Sequence, residues 1–361
     1  MKRKHSGSVN VLRRTALACA LAFTIGSVAA QTSRLKVVAS FSILGDMVAN
    51  VGGDHITLAT IVGPDGDAHV FEPTPRDART LADAQLLFMN GLEFEAWLPR
   101  LVEASGFKGT QAVASQGISP LAFSASDTHD ADDDHDHDHD HDHDHDHDHD
   151  HDHDHDHDHD HDHDHDHDHA AAHDHEHSGH DHAHAHGSHD PHAWQDLSLA
   201  QRYVNNIANA LVQADPKNAQ SYRSRAQAYN AQLAALDADI KARVARIPAP
   251  QRKVVTSHDA FGYFAHAYDV TFLSAAGISS QAEPSAQDLA RLIDRIRAEN
   301  IRAVFVENIT SPRLIEQIAR ETGAKVGGVL YSDALSAKPP ANTYLGMMRW
   351  NADQVLSALG Q

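Results

Sequence analysis

Cysteine is nearly absent from this chain of 361 residues: the one copy, Cys19, lies in the apolar run Thr15 to Val28. That run is too short to span a bilayer, which takes about 20 residues. It follows Lys2, Arg3, Lys4, Arg13 and Arg14 and ends in the small residues of Val28-Ala29-Ala30. A positive start, a short apolar stretch and small residues at its end make an export signal, so residues 1–30 are expected to be removed. Ala16, Leu17 and Ala18 make a poor lipidation sequence ahead of Cys19. A mature chain beginning at residue 31 has no cysteine, which excludes disulfides and thiolate metal sites. A transition-metal site must then be built from His and carboxylate.

Positive charge is missing from another stretch. Residues 127–190 hold 26 Asp and Glu and no Lys or Arg. Outside that stretch and the signal, 24 basic residues face 25 acidic ones, so the net charge of −22 belongs to one segment. The near-neutral remainder gives no basis for nucleic-acid binding. A Gly-rich phosphate loop and an activated nucleophile are lacking as well, which argues against an enzyme.

Histidine is what the chain has in excess. Of 33 His, 27 lie between His129 and His189, and His135 to His169 is an unbroken alternation of 18 His with 17 Asp. This stretch has nothing apolar to bury, so residues 127–188 are expected to form a disordered loop. With His5 in the signal, only His55, His69, His192, His258 and His266 remain for an ordered site.

Short apolar strands alternate with amphipathic helices through the rest, about 270 residues, enough for two ordinary domains. The expected fold is α/β: two lobes with mainly parallel sheets, joined by a long rigid helix, with a metal site in the cleft between them. The boundaries are placed at 31–214 for the first lobe, 215–249 for the linking helix and 250–361 for the second lobe. In the first lobe, strands are predicted over Leu35 to Ser40, Ile56 to Val62, Gln85 to Met89 and Gln111 to Ala114. Thr74 and Pro75 read as the cap and first residue of a helix, and another helix is predicted from Phe94 to Glu103. Asp215-Pro216 starts the long helix, which runs to about Arg246, on the order of 45 Å. The second lobe is predicted to carry strands at Lys253 to Ser257, Val270 to Ser274, Ala303 to Glu307 and Lys325 to Leu330.

Parallel α/β sheets bind ligands beyond the carboxyl ends of their strands. His69 lies in GPDGDAHVFEPTP after the second strand, His258 directly follows its strand in VVTSHDAFGYFA, and Asp333 follows the last strand in GGVLYSDALS. His192, in DPHAW, precedes a helix. Three imidazoles and one carboxylate suit a borderline-soft divalent ion in roughly tetrahedral coordination, Zn²⁺ above all. His55 reads as a turn residue and His266 as a surface residue. Glu72 and Asp259 are candidates to hydrogen-bond metal-bound imidazoles or to cap helices. Glu283 and Glu307 are weaker candidates for the same role.

GDAHVFEPTP, DPHAW, TSHDAFGYFA, the stretch from EPSAQDLARLI through VFVENITSPRLIEQIARETGAKV, and YSDALS resemble the zinc and manganese solute-binding proteins of bacterial ABC transporters, and the zinc-uptake branch most. The resemblance covers nearly all of the mature chain outside the His-Asp tract. It implies that His69, His192, His258 and Asp333 ligate one tightly bound Zn²⁺; the many imidazoles of the His-rich loop are expected to add weak sites, since each binding event must order free backbone. It implies a periplasmic monomer that carries out no chemistry and delivers zinc to a membrane permease served by a cytoplasmic ATPase. The manganese branch usually has Glu where this chain has His258, which favours zinc. The alternatives are a Mn²⁺-binding member of the same family and a periplasmic zinc buffer or chaperone. The stretch DPHAWQDLS lacks the Pro that the family often has after Trp, which leaves the start of the following helix open.

Overall fold

The computed structural model describes residues 34–122, 189–277 and 283–360. The export signal expected at 1–30 and the loop expected at 127–188 lie outside the described residues. The described residues from Leu35 onward form one compact unit built on two four-stranded sheets.

The first sheet holds β1 (Leu35–Phe41), β2 (Ile56–Val62), β3 (Leu86–Met89) and β4 (Thr110–Val113) in the order β2-β1-β3-β4, with every pairing parallel. Val37, Val38, Ala39 and Phe41 in β1 are buried, as expected for a central parallel strand covered on both faces. Helices α1 (Ser42–Gly52), α2 (Pro75–Ala82) and α3 (Leu98–Ser105) connect these strands. Thr74 and Asp77 cap α2 reciprocally, each side chain taking the other's backbone N–H.

Helix α3 begins four residues later than the sequence predicts. Glu95 turns its carboxylate back onto the N–H groups of Asn90 and Gly91, at 2.6 and 3.3 Å, and Leu92 and Glu93 adopt positive φ. This tight loop occupies the predicted first turn. Pro99, which is tolerated only near a helix start, then fixes where regular helix begins.

After His189 the chain enters α4 (Leu197–Ala214), turns through Pro216–Asn218 and continues as α5 (Ala219–Val244). The 26 residues of α5 make a rod of about 39 Å. Its buried residues, Tyr222, Ala226, Tyr229, Leu233, Leu236, Ile240 and Val244, recur at intervals of three and four. This helix is shorter than expected because Pro216 opens a separate 3₁₀ turn and the regular helix ends at Val244.

The second sheet contains β5 (Lys253–Thr256), β6 (Thr271–Ser274), β7 (Ala303–Val304) and β8 (Lys325–Val326). Its order, β6-β5-β7-β8, repeats that of the first, again all parallel. Helices α6 (Gly262–Tyr268), α7 (Ala286–Ala298), α8 (Arg313–Thr322) and α9 (Tyr344–Leu359) belong to this half. Helix α5 packs against α1 and α4 and also against α6 and α9, so one rod contacts both lobes.

Strands β7 and β8 are shorter than predicted because the ladder is interrupted rather than absent. Gly327 donates to Val304 and Leu330 donates to Val306, so β8 spends three residues where β7 spends two. The extra residue kinks the chain, and pairing resumes at a bridge between Glu307 and Leu330. Gly327 is required at this kink, since a Cβ there would lie 2.2 Å from the Phe305 ring. A second isolated bridge, antiparallel, pairs Ala122 with His189.

Candidate metal centre

In each lobe the strand order reverses between the two central strands, where the connecting chains diverge and leave a crevice at the carboxyl ends. In the second lobe His258 follows β5 and Glu307 follows β7, which places both at that crevice. The Glu307 carboxylate accepts from the His258 backbone N–H at 2.9 Å and lies 2.7 Å from the ring Nδ1. Both side chains are fully buried. The ring is thereby oriented with Nε2 toward the cleft, 3.1 Å from Asp333 Oδ2.

In the first lobe the crevice carries Asn90 at the end of β3 and Ser40 in β1. Ser40 donates to Glu95 at 2.6 Å, and Glu95 fixes Asn90. Asn90 donates its amide to the Pro191 carbonyl at 3.0 Å and accepts from Tyr203 at 2.6 Å, which ties the DPHAW segment to the sheet. His192 follows Pro191 directly. Its Nδ1 pairs with Asp190 at 2.7 Å, and the same carboxylate accepts from the His192 backbone at 2.9 Å. Asp190 is admitted by Gly262 of the opposite lobe, where a Cβ would meet its carboxylate at 2.5 Å. Asp196 resolves the helix start: its side chain accepts from Ser198 and Leu199 and caps α4.

His69 stands on the loop between β2 and α2. Its N–H donates to Asp67 at 2.8 Å, and the preceding carbonyl, of Ala68, accepts from Trp97 at 2.7 Å. The ring meets Phe94 edge-on at 4.7 Å, and Phe94, Trp194 and Phe41 form an apolar floor behind it. Of the four predicted site residues only His69 is in reach of solvent, its side chain 12% exposed.

The structure brings all four together in the cleft. One donor atom from each of His69, His192, His258 and Asp333 lies within 4.8 Å of every other. His69 Nε2 is 3.3 Å from His192 Nε2 and 3.3 Å from Asp333 Oδ2, and His192 Nε2 is 3.3 Å from Asp333 Oδ1. Burial disfavours the charged ring of His258, but the Glu307 and Asp333 charges outweigh it and hold its pKa well above the usual histidine value. The same balance, with Asp333 and Asp190 as partners, raises His192. Burial would raise Asp333, yet the His192 and His258 rings beside it hold it well below the ordinary range.

The residues singled out for the outer positions fare differently. Glu72 is exposed, and Asp259 sits half-buried with its N–H on the Gly277 carbonyl. The imidazole partners are instead Glu307, ranked low from sequence, and Asp190, which sequence reasoning missed. A carboxylate two residues before a histidine was the available signal, since that spacing lets it reach the ring of its own segment. His55 closes a short 3₁₀ turn with Nε2 3.0 Å from the Ser221 hydroxyl, and His266 is exposed on α6.

The family model described as zinc-uptake complex component A, periplasmic (ZnuA), matches residues 37–358. The chain belongs to this family. It is accordingly a periplasmic metal-binding, substrate-binding protein of an ABC transporter, and the family is not one of enzymes. The iron-binding protein YfeA of Yersinia pestis is 31% identical over 330 residues, covering 91% of this chain and 87% of YfeA. The manganese-binding lipoprotein MntA of Halalkalibacterium halodurans is 29% identical, covering 91% of this chain and 89% of MntA. Among solved structures, the Mn-bound periplasmic metal-binding protein of Candidatus Liberibacter asiaticus superposes with a TM-score of 0.68 at 25% identity. That likeness covers 90% of this chain and 100% of the other. The metals named for these relatives differ, so family membership fixes a metal cargo and leaves its identity to the site.

Proposed function

We propose that this protein captures Zn²⁺ between its lobes with His69, His192, His258 and Asp333 and delivers it to the membrane permease of an ABC importer. The observation that carries this reading is the spacing of the donors. Around a tetrahedral zinc with bonds of about 2.0–2.1 Å, donor atoms stand about 3.3 Å apart. With Asp333 Oδ2 as its donor, three of the six separations here are 3.1 to 3.3 Å, and His192 Nε2 lies 3.3 Å from the other oxygen of the same carboxylate. Three neutral nitrogens and one carboxylate also suit zinc better than manganese, which favours oxygen donors.

Four protein ligands fill a tetrahedral shell and leave no place for the bound water that a hydrolytic zinc uses. In this reading the site holds and releases its ion unchanged. Residues 31–214 form the first lobe and 250–361 the second, with 215–249 as the stiff element between them. The tract at 127–188 acts as a collector, with weak zinc sites that raise the local supply when metal is scarce.

The decisive measurement is the metal content of protein expressed in its periplasm and purified without added metal. About one zinc per chain in the tightest site is expected, retained against a mild chelator. One manganese or iron per chain, with zinc absent, would overturn the choice of ion. Loss of growth in chelator on deletion of the gene, restored by the intact protein, separates an importer component from a passive buffer.

A further inference from the structure

Asp333 follows β8, the last strand of the second lobe, yet the main chain on either side of it hydrogen-bonds to the first. It lies between Val326 and Tyr344, in a stretch without regular helix or strand, so its position depends on what its main chain touches. Up to Tyr331 those contacts are with the second lobe. Leu330 donates to Val306 at 2.9 Å, Asn308 donates to Leu330 at 3.0 Å, and the Asn351 amide brackets Tyr331 at 3.0 and 2.7 Å.

From Ser332 the pattern changes. The Ser332 carbonyl, one peptide before the carboxylate ligand, accepts from Trp194 Nε1 at 2.9 Å and from Gln195 Nε2 at 2.8 Å. Trp194, Gln195 and Ser332 are all fully buried, so water is not there to replace either bond. Leu335 donates to Ser42 at 3.0 Å and accepts from Asp65 at 2.8 Å, and Ala337 donates to the Asp65 carboxylate at 3.2 Å. Ser42, Asp65, Trp194 and Gln195 all belong to the first lobe. The second lobe reaches this stretch through the His258 ring, 3.1 Å from the Asp333 carboxylate, and through the Asn308 amide, which lies 3.4 Å from the Ala334 carbonyl and also reaches Asp65 at 3.2 Å.

His258 is held in the opposite way. Its ring and its backbone N–H both go to Glu307, and its carbonyl accepts from Thr256 at 3.2 Å, all within the second lobe.

We infer that Trp194 and Gln195 bind the Asp333 segment to the first lobe, so that the site divides three ligands to one and His258 is the ligand that closes it. This rests on the ligand assignment proposed above and deepens it. The cargo ion docks first on His69, His192 and Asp333, a half-site carried by one body. Approach of the second lobe adds the His258 nitrogen. Gln195 touches no ligand atom and acts through the Ser332 carbonyl, as a positioning residue for Asp333.

The test is a double-mutant cycle on the full chain, with zinc affinity read by chelator competition at limiting zinc. Gln195→Met keeps side-chain length and removes the donor. Its expected effect is a loss of about tenfold in affinity, the scale of outer-shell changes at metal sites, in both the wild-type and the His258→Ala backgrounds. In the Asp333→Ala background the further loss should stay under about twofold, since the residue through which Gln195 acts is gone. An equal loss in all three backgrounds, or none in the wild type, would overturn the inference. If Asp333→Ala alone leaves affinity unchanged, the ligand assignment itself fails, which is a distinguishable result. Should Gln195→Met fail to fold by circular dichroism, Trp194→Phe removes the other donor and enters the same cycle.

Discussion

Glu307 holds His258 at two points, the backbone N–H at 2.9 Å and the ring Nδ1 at 2.7 Å. A carboxylate on Nδ1 fixes the tautomer whose Nε2 lone pair faces the metal and makes that nitrogen a stronger donor. Glu307→Gln keeps an oxygen for the backbone contact and removes the charge beside the ring. Zinc affinity should fall by about tenfold to a hundredfold. Competition against a chelating dye measures it, and an unchanged affinity would reduce Glu307 to a backbone anchor.

The same imidazole is expected to select the ion. His258→Glu replaces a nitrogen donor with harder oxygen, which should shift preference from zinc toward manganese. Paired titrations with the two ions give the ratio of affinities. A ratio equal to that of the wild type would move the origin of selectivity to the other three ligands.

Zinc joining the lobes should stabilise the whole unit, because an ion bound only by the folded state shifts unfolding by mass action. At a thousandfold excess over Kd the gain is roughly 4 kcal/mol. Melts with zinc and with a strong chelator should therefore separate by several degrees. Coincident melts would argue against a site shared between lobes.

Asp46 offers a test away from the metal. Its carboxylate accepts from Tyr344 N–H at 3.0 Å, Tyr229 at 3.3 Å and Asn50 at 3.1 Å, where α1, α5 and α9 meet. Burial raises its pKa above the ordinary aspartate value, over the opposing effect of those hydrogen bonds. A carboxyl with a raised folded-state pKa binds its proton more tightly when folded. Its stabilising contribution is complete below the unfolded pKa of 3.8 and is lost as pH rises through the folded value. Asp46→Asn does not titrate and keeps an acceptor. It should melt above the wild type at neutral pH, and the difference should shrink toward about pH 4. A variant that melts lower at neutral pH would show that the ionised carboxylate is net favourable there.

Three of the four candidate ligands were legible because each follows a strand that the alternation of strands and helices ends at the cleft, while His192 and the set as a whole came from the family resemblance. His258 and Asp333 follow strands directly, and a parallel sheet sends such residues to one edge. The role of Glu307 follows from β7 lying next to β5, and nothing local in VFVEN states which strand is its neighbour. Gln195 was invisible for a similar reason, since its partner is a backbone carbonyl 137 positions away. Helix α3 was misplaced because apolar spacing from Phe94 onward looks helical, while the Glu95 carboxylate holds a tight loop there instead. The kink at Gly327 shortened β7 and β8, which periodicity alone reads as continuous.

The bridge between Ala122 and His189 decouples the length of the insertion from the fold around it. Sixty-six residues separate these partners, yet the lobe meets them as neighbouring points on its surface. Doubling the length of an insertion between such points costs only about 0.6 kcal/mol in loop closure. Each His-Asp pair added or removed there changes the number of imidazoles while Asp190, His192 and the sheet keep their places. The number of histidines in the tract is thus a quantity that can change separately from the fold.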